Sequence, residues 1–445
     1  MKQQKAYIVL ISLVAAFGGL LFGFDIAIFS GTIPFIQPYY HLDDAALGWT
    51  GSSLYVGCIL GTLITGYAAD RFGRKLPLTA AALIFAISCV MMGWSGSYNG
   101  LILWRIIAGI GVGAASMLSP LYIAEVSPAS IRGRMVAINQ LTIVIGILLA
   151  YLSNYLLAGY TDNWRWMFSS GAVPATLFFF CVFFVPESPR WLLAKGQAEK
   201  SRRILSRIAG AVAAEEEISR INTALHDEVK GKLSDLWQKG IRGIVFLGIV
   251  IAVLQQLSGA NAVFFYAPVI FEKAGMNVQD QLFQQILIGT TNLVFTLVAM
   301  RLIDRWGRKK LMLGGSLGMA VWLLLIGLCY HFHFFEGAGL TTLVMLFIAT
   351  YATTLAPVTW VLISEIFPTR IRGIAMSVAT TMLWVACFAL AYGFPVLINR
   401  LSPFQAFALF AGICFIYFLF LLKYAPETKG KSLEEIEREL VPPAP

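Results

Sequence analysis

Twelve apolar runs, each long enough for one crossing of a bilayer, decide what this chain can fold into. They centre near residues 18, 58, 86, 112, 145, 175, 252, 293, 321, 352, 385 and 413. A helix needs roughly 20 apolar residues to cross the hydrocarbon core. The runs lack the polar–apolar alternation of a membrane barrel strand, which leaves helices as the spanning structure. Composition agrees: 58% of the chain is hydrophobic and 13% charged. A soluble domain carries nearer 25% charge and has no way to hide so much apolar surface. The first run is too long for a signal peptide, contains Asp25 and is followed by no clear small-residue cleavage site, so it reads as a span.

The net charge of +9 is unevenly placed. Lys and Arg gather in alternate loops: Arg71, Arg74 and Lys75; Arg132 and Arg134; residues 190–242; Arg305, Arg308, Lys309 and Lys310; Arg370 and Arg372; and Lys423 onward. The opposite loops hold only Arg165, Lys273 and Arg400. This positive-inside bias puts both termini in the cytoplasm and explains the charge without nucleic acid. The six cysteines lie inside apolar runs with no pairing spacing and read as small core residues. The four histidines fit no metal pattern, and neither metal nor cofactor is expected.

The chain repeats itself. Asp70-Arg71-Phe72-Gly73-Arg74-Lys75 returns 234 residues later as Asp304-Arg305-Trp306-Gly307-Arg308-Lys309. Glu125-Val126-Ser127-Pro128, with Arg132-Gly133 beyond, returns 240 residues on as Glu365-Ile366-Phe367-Pro368 with Arg372-Gly373. Pro186-Glu187-Ser188-Pro189 is echoed by Pro426-Glu427-Thr428-Lys429, again 240 on. The predicted fold is an all-α membrane protein of two pseudo-symmetric six-helix bundles, residues 1–186 and 242–425. A polar linker, 187–241, joins them, and a tail, 426–445, follows. Ile218, Ile221 and Leu225 recur at helical spacing among charges, predicting short amphipathic helices in the linker. Parallel repeats of this kind place a substrate site between the halves near the membrane midplane. A transporter is implied. No nucleophile–base pair, metal cluster or nucleotide-binding loop points to an enzyme or to ATP; Gly109, Gly111 and Gly113 lie inside a span, where helix packing is their use.

The chain resembles the sugar porter family of the major facilitator superfamily over nearly its whole length. The motifs that carry the resemblance are Asp-Arg-Phe-Gly-Arg-Lys (70–75), Pro-Glu-Ser-Pro-Arg (186–190), Gln-Gln-Leu-Ser-Gly (255–259), Asp-Arg-Trp-Gly-Arg-Lys (304–309) and Pro-Glu-Thr-Lys-Gly (426–430). The loop motif alone indicates the superfamily; the Pro-Glu-Ser-Pro-Arg and Gln-Gln-x-x-Gly motifs are more specific to sugar porters. The resemblance implies the major facilitator fold and alternating-access sugar transport in a bacterial inner membrane.

Three groups of residues carry the expected chemistry. Asp70, Glu125, Glu187, Asp304, Glu365 and Glu427 sit at span ends among Arg74, Arg132, Arg190, Arg308 and Arg372. Topology accounts for the cations but not for the paired carboxylates, and the resemblance implies a latch that holds the halves together on the inside. Asp25, near the end of the first run, and Arg105, near the start of the fourth, are charges inside lipid-spanning segments, where a buried charge seeks a partner. A carboxylate beside an arginine stays ionised, and one drawn away from it in apolar surroundings takes a proton. In the family, proton-driven xylose and galactose symporters resemble this chain at Asp25, whereas facilitative carriers have an uncharged Asn.

Sugar hydroxyls donate and accept, as Gln and Asn side chains do. Gln140, Gln255, Gln256, Asn261 and Asn292 are amides within apolar runs. The resemblance maps the family's sugar-binding positions onto each, and onto Trp360 and the span-11 Trp384. Ser258-Gly259 is where the seventh span can loosen, and Tyr266 beyond it is the expected gate. Leu383 departs from the Asn or Gln that commonly precedes the span-11 tryptophan, removing one hydroxyl partner. The expected partners are thus a small neutral sugar, a proton and the lipid bilayer, with the chain working as a monomer. The competing readings are a facilitative uniporter, a polyol or inositol symporter, and a non-transporting sensor.

Overall fold

The computed structural model of the chain describes residues 2–128, 131–227, 233–238, 240–334, 339–368, 371–431 and 433–440. Within them twelve helices are long and apolar enough to cross a membrane. Spans 1 to 6 are Ala6–Tyr39, Asp44–Phe72, Lys75–Gly93, Tyr98–Val126, Met135–Leu157 and Asn163–Phe183. Spans 7 to 12 are Ile241–Lys273, Val278–Ile303, Arg308–His331, Gly339–Ile366, Arg372–Arg400 and Pro403–Tyr424. Side-chain caps mark several starts. Ser97 Oγ accepts from the Gly100 N–H (3.2 Å) and Asn277 Oδ1 from that of Asp280 (2.9 Å). Span 12 opens on a capping box between Ser402 and Gln405, with Pro403 in the first helical turn.

The described chain packs as two units: Met1–Phe35 with Ser53–Glu228, and Ile36–Ser52 with Val229–Pro445. In the first, span 3 lies against spans 4 and 6; in the second, span 9 lies against spans 10 and 12. The sequence repeat is therefore a repeat of packing. The linker helices Pro189–Ala194, Ala198–Ala209 and Ala211–Asp227 belong to the first unit. They bury Leu205 and Ile208, and the Arg207 guanidinium lies 4.2 Å from the Tyr7 ring at the base of span 1. The segment Ile36–Ser52, where spans 1 and 2 meet, belongs to the second unit: Asn399 Nδ2 donates to Asp44 Oδ1 (2.5 Å) and Trp49 packs edge-on to Phe388.

Spans 2 and 4 touch backbone to backbone. A Cβ on Gly57 would lie 1.9 Å from the Ile106 carbonyl oxygen, and one on Gly109 would lie 2.0 Å from that of Leu54. Small residues let two membrane helices approach this closely, and dispersion along the seam replaces the hydrophobic drive that lipid cannot supply. This is the use of Gly109 and Gly113 in span 4.

Two spans of the second unit are broken. Span 7 runs as a helix to Gln256, pauses at Leu257 and Ser258, turns at Gly259 (φ +89°) and resumes at Ala260. Span 10 breaks at Thr354 (φ −122°, ψ −86°), three residues before Pro357. Proline has no N–H for the carbonyl one turn back. Pro357 thus leaves the Thr353 carbonyl without its helical donor, while one turn earlier the hydroxyls of Thr353 and Thr354 donate to the carbonyls of Ala349 and Thr350.

Candidate functional site

Asp25 stands in the middle of span 1 and not near its end, because the helix continues through Pro34 to Tyr39, about four turns further. Arg105 lies about two turns into span 4. Arg105 Nη2 is 3.8 Å from Asp25 Oδ2, and the two side chains are 0% and 2% exposed. The guanidinium also lies 4.4 Å from the centre of the Phe29 ring. At 3.8 Å the contact is coulombic and longer than a hydrogen bond. Each charge is costly alone in this setting, and each lessens the other's cost.

In the second unit the amides at the span 7 break form a directional chain. Asn261 Nδ2 donates to Gln256 Oε1, Gln256 Nε2 to Gln255 Oε1 (2.5 Å), and Gln255 Nε2 to the Tyr351 hydroxyl (2.9 Å). Cys387 Sγ donates a second bond to Gln256 Oε1 (3.1 Å), filling that acceptor. Ser258 Oγ donates to the Gln255 carbonyl (2.6 Å) and Cys414 Sγ to the Ser258 carbonyl (3.3 Å), so side chains cover carbonyls that the broken helix leaves open. Tyr266, also in span 7, donates its hydroxyl to the Ala391 carbonyl of span 11 (2.6 Å) and stacks on Phe394 at 5.3 Å.

The remaining sugar-site candidates stand outside this chain. Asn292 is buried in span 8, and Trp384 is buried in span 11 beside Leu383. Trp360, in the second half of span 10, is 36% exposed. Gln140 is half-buried in span 5 of the first unit.

The charged loops are built alike in both units. Gly73 (φ +87°) and Gly307 (φ +84°) each end one helix and start the next. A Cβ there would fall 2.3 Å from Glu187 Oε2 in one unit and 2.6 Å from Glu427 Oε2 in the other, so only glycine fits. Glu187 accepts from the backbone N–H groups of Arg74 (2.9 Å) and Lys75 (3.2 Å); Glu427 accepts from those of Arg308 (3.0 Å) and Lys309 (3.2 Å). Arg74 grips Glu125 bidentately at 2.9 and 2.8 Å, and Arg308 Nη2 donates to Glu365 at 3.0 Å. Glu365 also accepts from the Thr428 hydroxyl (2.5 Å). Burial alone raises the Glu427 carboxyl, but backbone N–H groups of Lys429, Arg308, Lys309 and Thr428 outweigh it and hold the group below the usual carboxylate range. Each of these anchors closes within its own unit.

Asp70 is 82% exposed and only 3.9 Å from Arg74, a weak surface contact. Arg372 donates to the Phe367 carbonyl (3.2 Å), and Arg190 is half-buried at the start of its short helix. The side chains of Arg132 and Asp304 lie outside the described residues.

The family model for sugar (and other) transporters matches residues 11–440. The chain belongs to the sugar transporter family. It is 39% identical over 442 residues to the arabinose-proton symporter of Bacillus subtilis, covering 98% of this chain and 95% of that protein. It is 37% identical over 475 aligned positions to the D-xylose-proton symporter of Escherichia coli, covering 98% and 96%. A solved structure of the proton:xylose symporter XylE, a major facilitator superfamily protein bound to 6-bromo-6-deoxy-D-glucose, superposes with a TM-score of 0.84. The identity is 36%, and the match covers 98% of this chain and 100% of that one. This sugar transporter is thus a multi-pass membrane protein of the major facilitator fold and not an enzyme.

Three participants in this sugar transporter escape a reading of residues one at a time. Tyr351 and Cys387 complete the amide chain, and Cys414 supports the broken helix. Tyr351 carried a weak signal, a lone aromatic hydroxyl just ahead of Thr353-Thr354 and Pro357. Cys387 is one turn beyond Trp384, on the same helix face.

Proposed function

We propose that this chain is a proton-coupled monosaccharide symporter working by alternating access, as a monomer, in a bacterial inner membrane with both termini cytoplasmic. The observation that carries the reading is the Asp25–Arg105 pair: opposite charges 3.8 Å apart and almost fully buried in spans 1 and 4. A uniporter needs no titratable carboxylate inside its lipid-spanning part. Asp25 binds the proton when its contact with Arg105 loosens, and Arg105 returns it to the ionised form when the contact closes. One proton falling through 100 mV supplies about 2.3 kcal/mol, sufficient for an accumulation of tens-fold.

Gln140, Gln255, Gln256, Asn261 and Asn292 hydrogen-bond the sugar hydroxyls, while Trp360 and Trp384 offer ring faces to its C–H surface. The amides already bond one another: Asn261, Gln256 and Gln255 donate in sequence, ending on Tyr351. A sugar hydroxyl meets the donor and acceptor capacity these bonds leave over or displaces one of them, and the Gly259 turn lets Asn261 swing relative to Gln255 and Gln256 as it does so. Tyr266 gates the site through its bond to span 11. The anchors Arg74–Glu125–Glu187 and Arg308–Glu365–Glu427 each close within one unit and hold its loop in shape; with Asp70, Arg132, Arg190, Asp304 and Arg372 around them, these loops form the cytoplasmic latch that opens and closes in each cycle. The named relatives carry arabinose and xylose with protons, which makes pentoses the first sugars to try.

The test is uptake of radiolabelled xylose, arabinose, galactose, glucose and myo-inositol by reconstituted protein, with and without an imposed proton gradient. Gradient-driven accumulation of one sugar supports the proposal. Equilibration with no accumulation of any sugar makes the protein a uniporter.

A further inference from the structure

The two repeats share their acid–arginine frame, but the second adds cations that the frame does not need. Lys310 stands where the first repeat has Leu76, Lys429 where it has Pro189, and Arg301 where it has Tyr67. In the first unit Arg71 donates to the Tyr67 hydroxyl at 2.8 Å. Its counterpart Arg305 faces a repeat position filled by another arginine. Arg305 and Lys310 are exposed and, among the described residues, make no ion pair. Lys429 Nζ donates to the Arg305 carbonyl (2.7 Å), which draws its ammonium to the same spot.

These three cations, with Trp306 and Glu427, line a cavity of about 440 Å³ at the span 8–span 9 turn. The Glu427 carboxylate is already matched by the N–H groups of Arg308, Lys309 and Lys429, at 3.0, 3.2 and 3.0 Å. Among the described residues that line it, three cations stand against one carboxylate, an excess of two positive charges. Trp306 is 61% exposed and sits just past the last turn of a membrane-spanning helix. An indole at that level lies among lipid headgroups. Basic pockets at the ends of membrane helices are suited to anionic headgroups.

We propose that the cavity formed by Arg305, Trp306, Lys310 and Lys429 binds the phosphodiester headgroup of an anionic phospholipid. Arg305 and the two lysines hold the phosphate oxygens, and Trp306 lies against the glycerol backbone. Such a lipid clamps the segment after span 12, which carries Lys429 and Glu427, onto the turn between spans 8 and 9.

Native mass spectrometry of the delipidated full chain tests this, with phosphatidylglycerol, phosphatidylcholine or soluble glycerol phosphate as probe. Phosphatidylglycerol is expected to bind at least about tenfold more tightly than phosphatidylcholine. Lys310→Leu with Lys429→Gln is expected to lose on the order of tenfold or more of that affinity, since each cation near an anionic lipid is worth about 1 kcal/mol. Lys310→Arg with Lys429→Arg keeps the charges and is expected to bind as the parent does, so a loss through misfolding is distinguishable. Lys200→Gln with Arg203→Gln removes two exposed cations from the linker helix and is expected to change nothing. The proposal is overturned by equal affinity for the two lipids, by full binding in the Leu/Gln variant, or by an equal loss in the linker control. Glycerol phosphate binding as tightly as the lipid would overturn the membrane source in favour of a soluble phosphate.

Discussion

Removing one member of the Asp25–Arg105 pair leaves the other charge buried without its counter-charge. Breaking a buried pair from one side typically costs about 3–5 kcal/mol, more than replacing both members with apolar groups. Arg105→Met is therefore expected to lower the thermal unfolding midpoint of the purified protein more than Arg105→Met combined with Asp25→Asn. If the double variant is the less stable, the two residues do not act as a charge pair. The amide chain gives a second ordering. Gln256 holds three of its bonds, from Asn261 and Cys387 and to Gln255, whereas Cys387 contributes one weak thiol donor. Gln256→Ala is expected to raise the KM for sugar on the order of tenfold or more, and Cys387→Ala less than about threefold, read from initial uptake rates. Equal effects would mean that Gln256 does not meet the sugar.

Among elements, the close crossing of spans 2 and 4 and the turn before span 9 are the most sharply specified. A methyl group on Gly109 has to displace the Leu54 carbonyl, whereas Gly243 has open space around its absent Cβ. Gly109→Ala is expected to destabilise the protein by about 1–3 kcal/mol, and Gly243→Ala to be neutral or slightly stabilising, in detergent unfolding curves. At the other element the sign of a pH effect follows from Glu427, whose folded carboxyl titrates below its ordinary value of 4.5. Its contribution is fully present above that value and is lost as pH falls through the lower folded value. Protease protection of the segment after span 12 is expected to be flat from neutral pH down to the ordinary carboxylate value of 4.5 and to fall progressively below it. Glu427→Gln should show the lowered protection already at neutral pH.

Much at this scale was legible in the sequence, and particular residues say why the rest was not. Spans are written in runs of apolar residues, and Ser258-Gly259 announced the break in span 7. The break at Thr354 was missed because its cause, Pro357 with two back-bonding threonines, sits inside an unbroken apolar run. An apolar run centred near residue 18 leaves Asp25 near its end, yet span 1 carries on through Pro34 to Tyr39. A cysteine inside an apolar run reads as a small core residue, and sequence spacing cannot reveal that the Cys387 thiol meets an amide 131 residues away.

Over the whole molecule, the sequence repeat is matched by the structural repeat down to atoms: in each unit a glycine with positive φ faces a glutamate that caps the next helix. What no repeat could disclose is that Ile36–Ser52 packs with the second unit, since the contacts of Trp49 and Asp44 lie more than 300 residues away in sequence. The proposed mechanism couples sugar binding at the amides to the protonation of Asp25. The first unit carries the ion pair and the second carries the amide chain. The most direct measurement of that coupling is external pH in a lightly buffered, de-energised suspension of expressing cells, on addition of one sugar at a time. The account predicts alkalinisation with at least one monosaccharide and none in Asp25→Asn, which should still equilibrate that sugar. Equilibration of the sugar by the parent protein with no change in pH would contradict it.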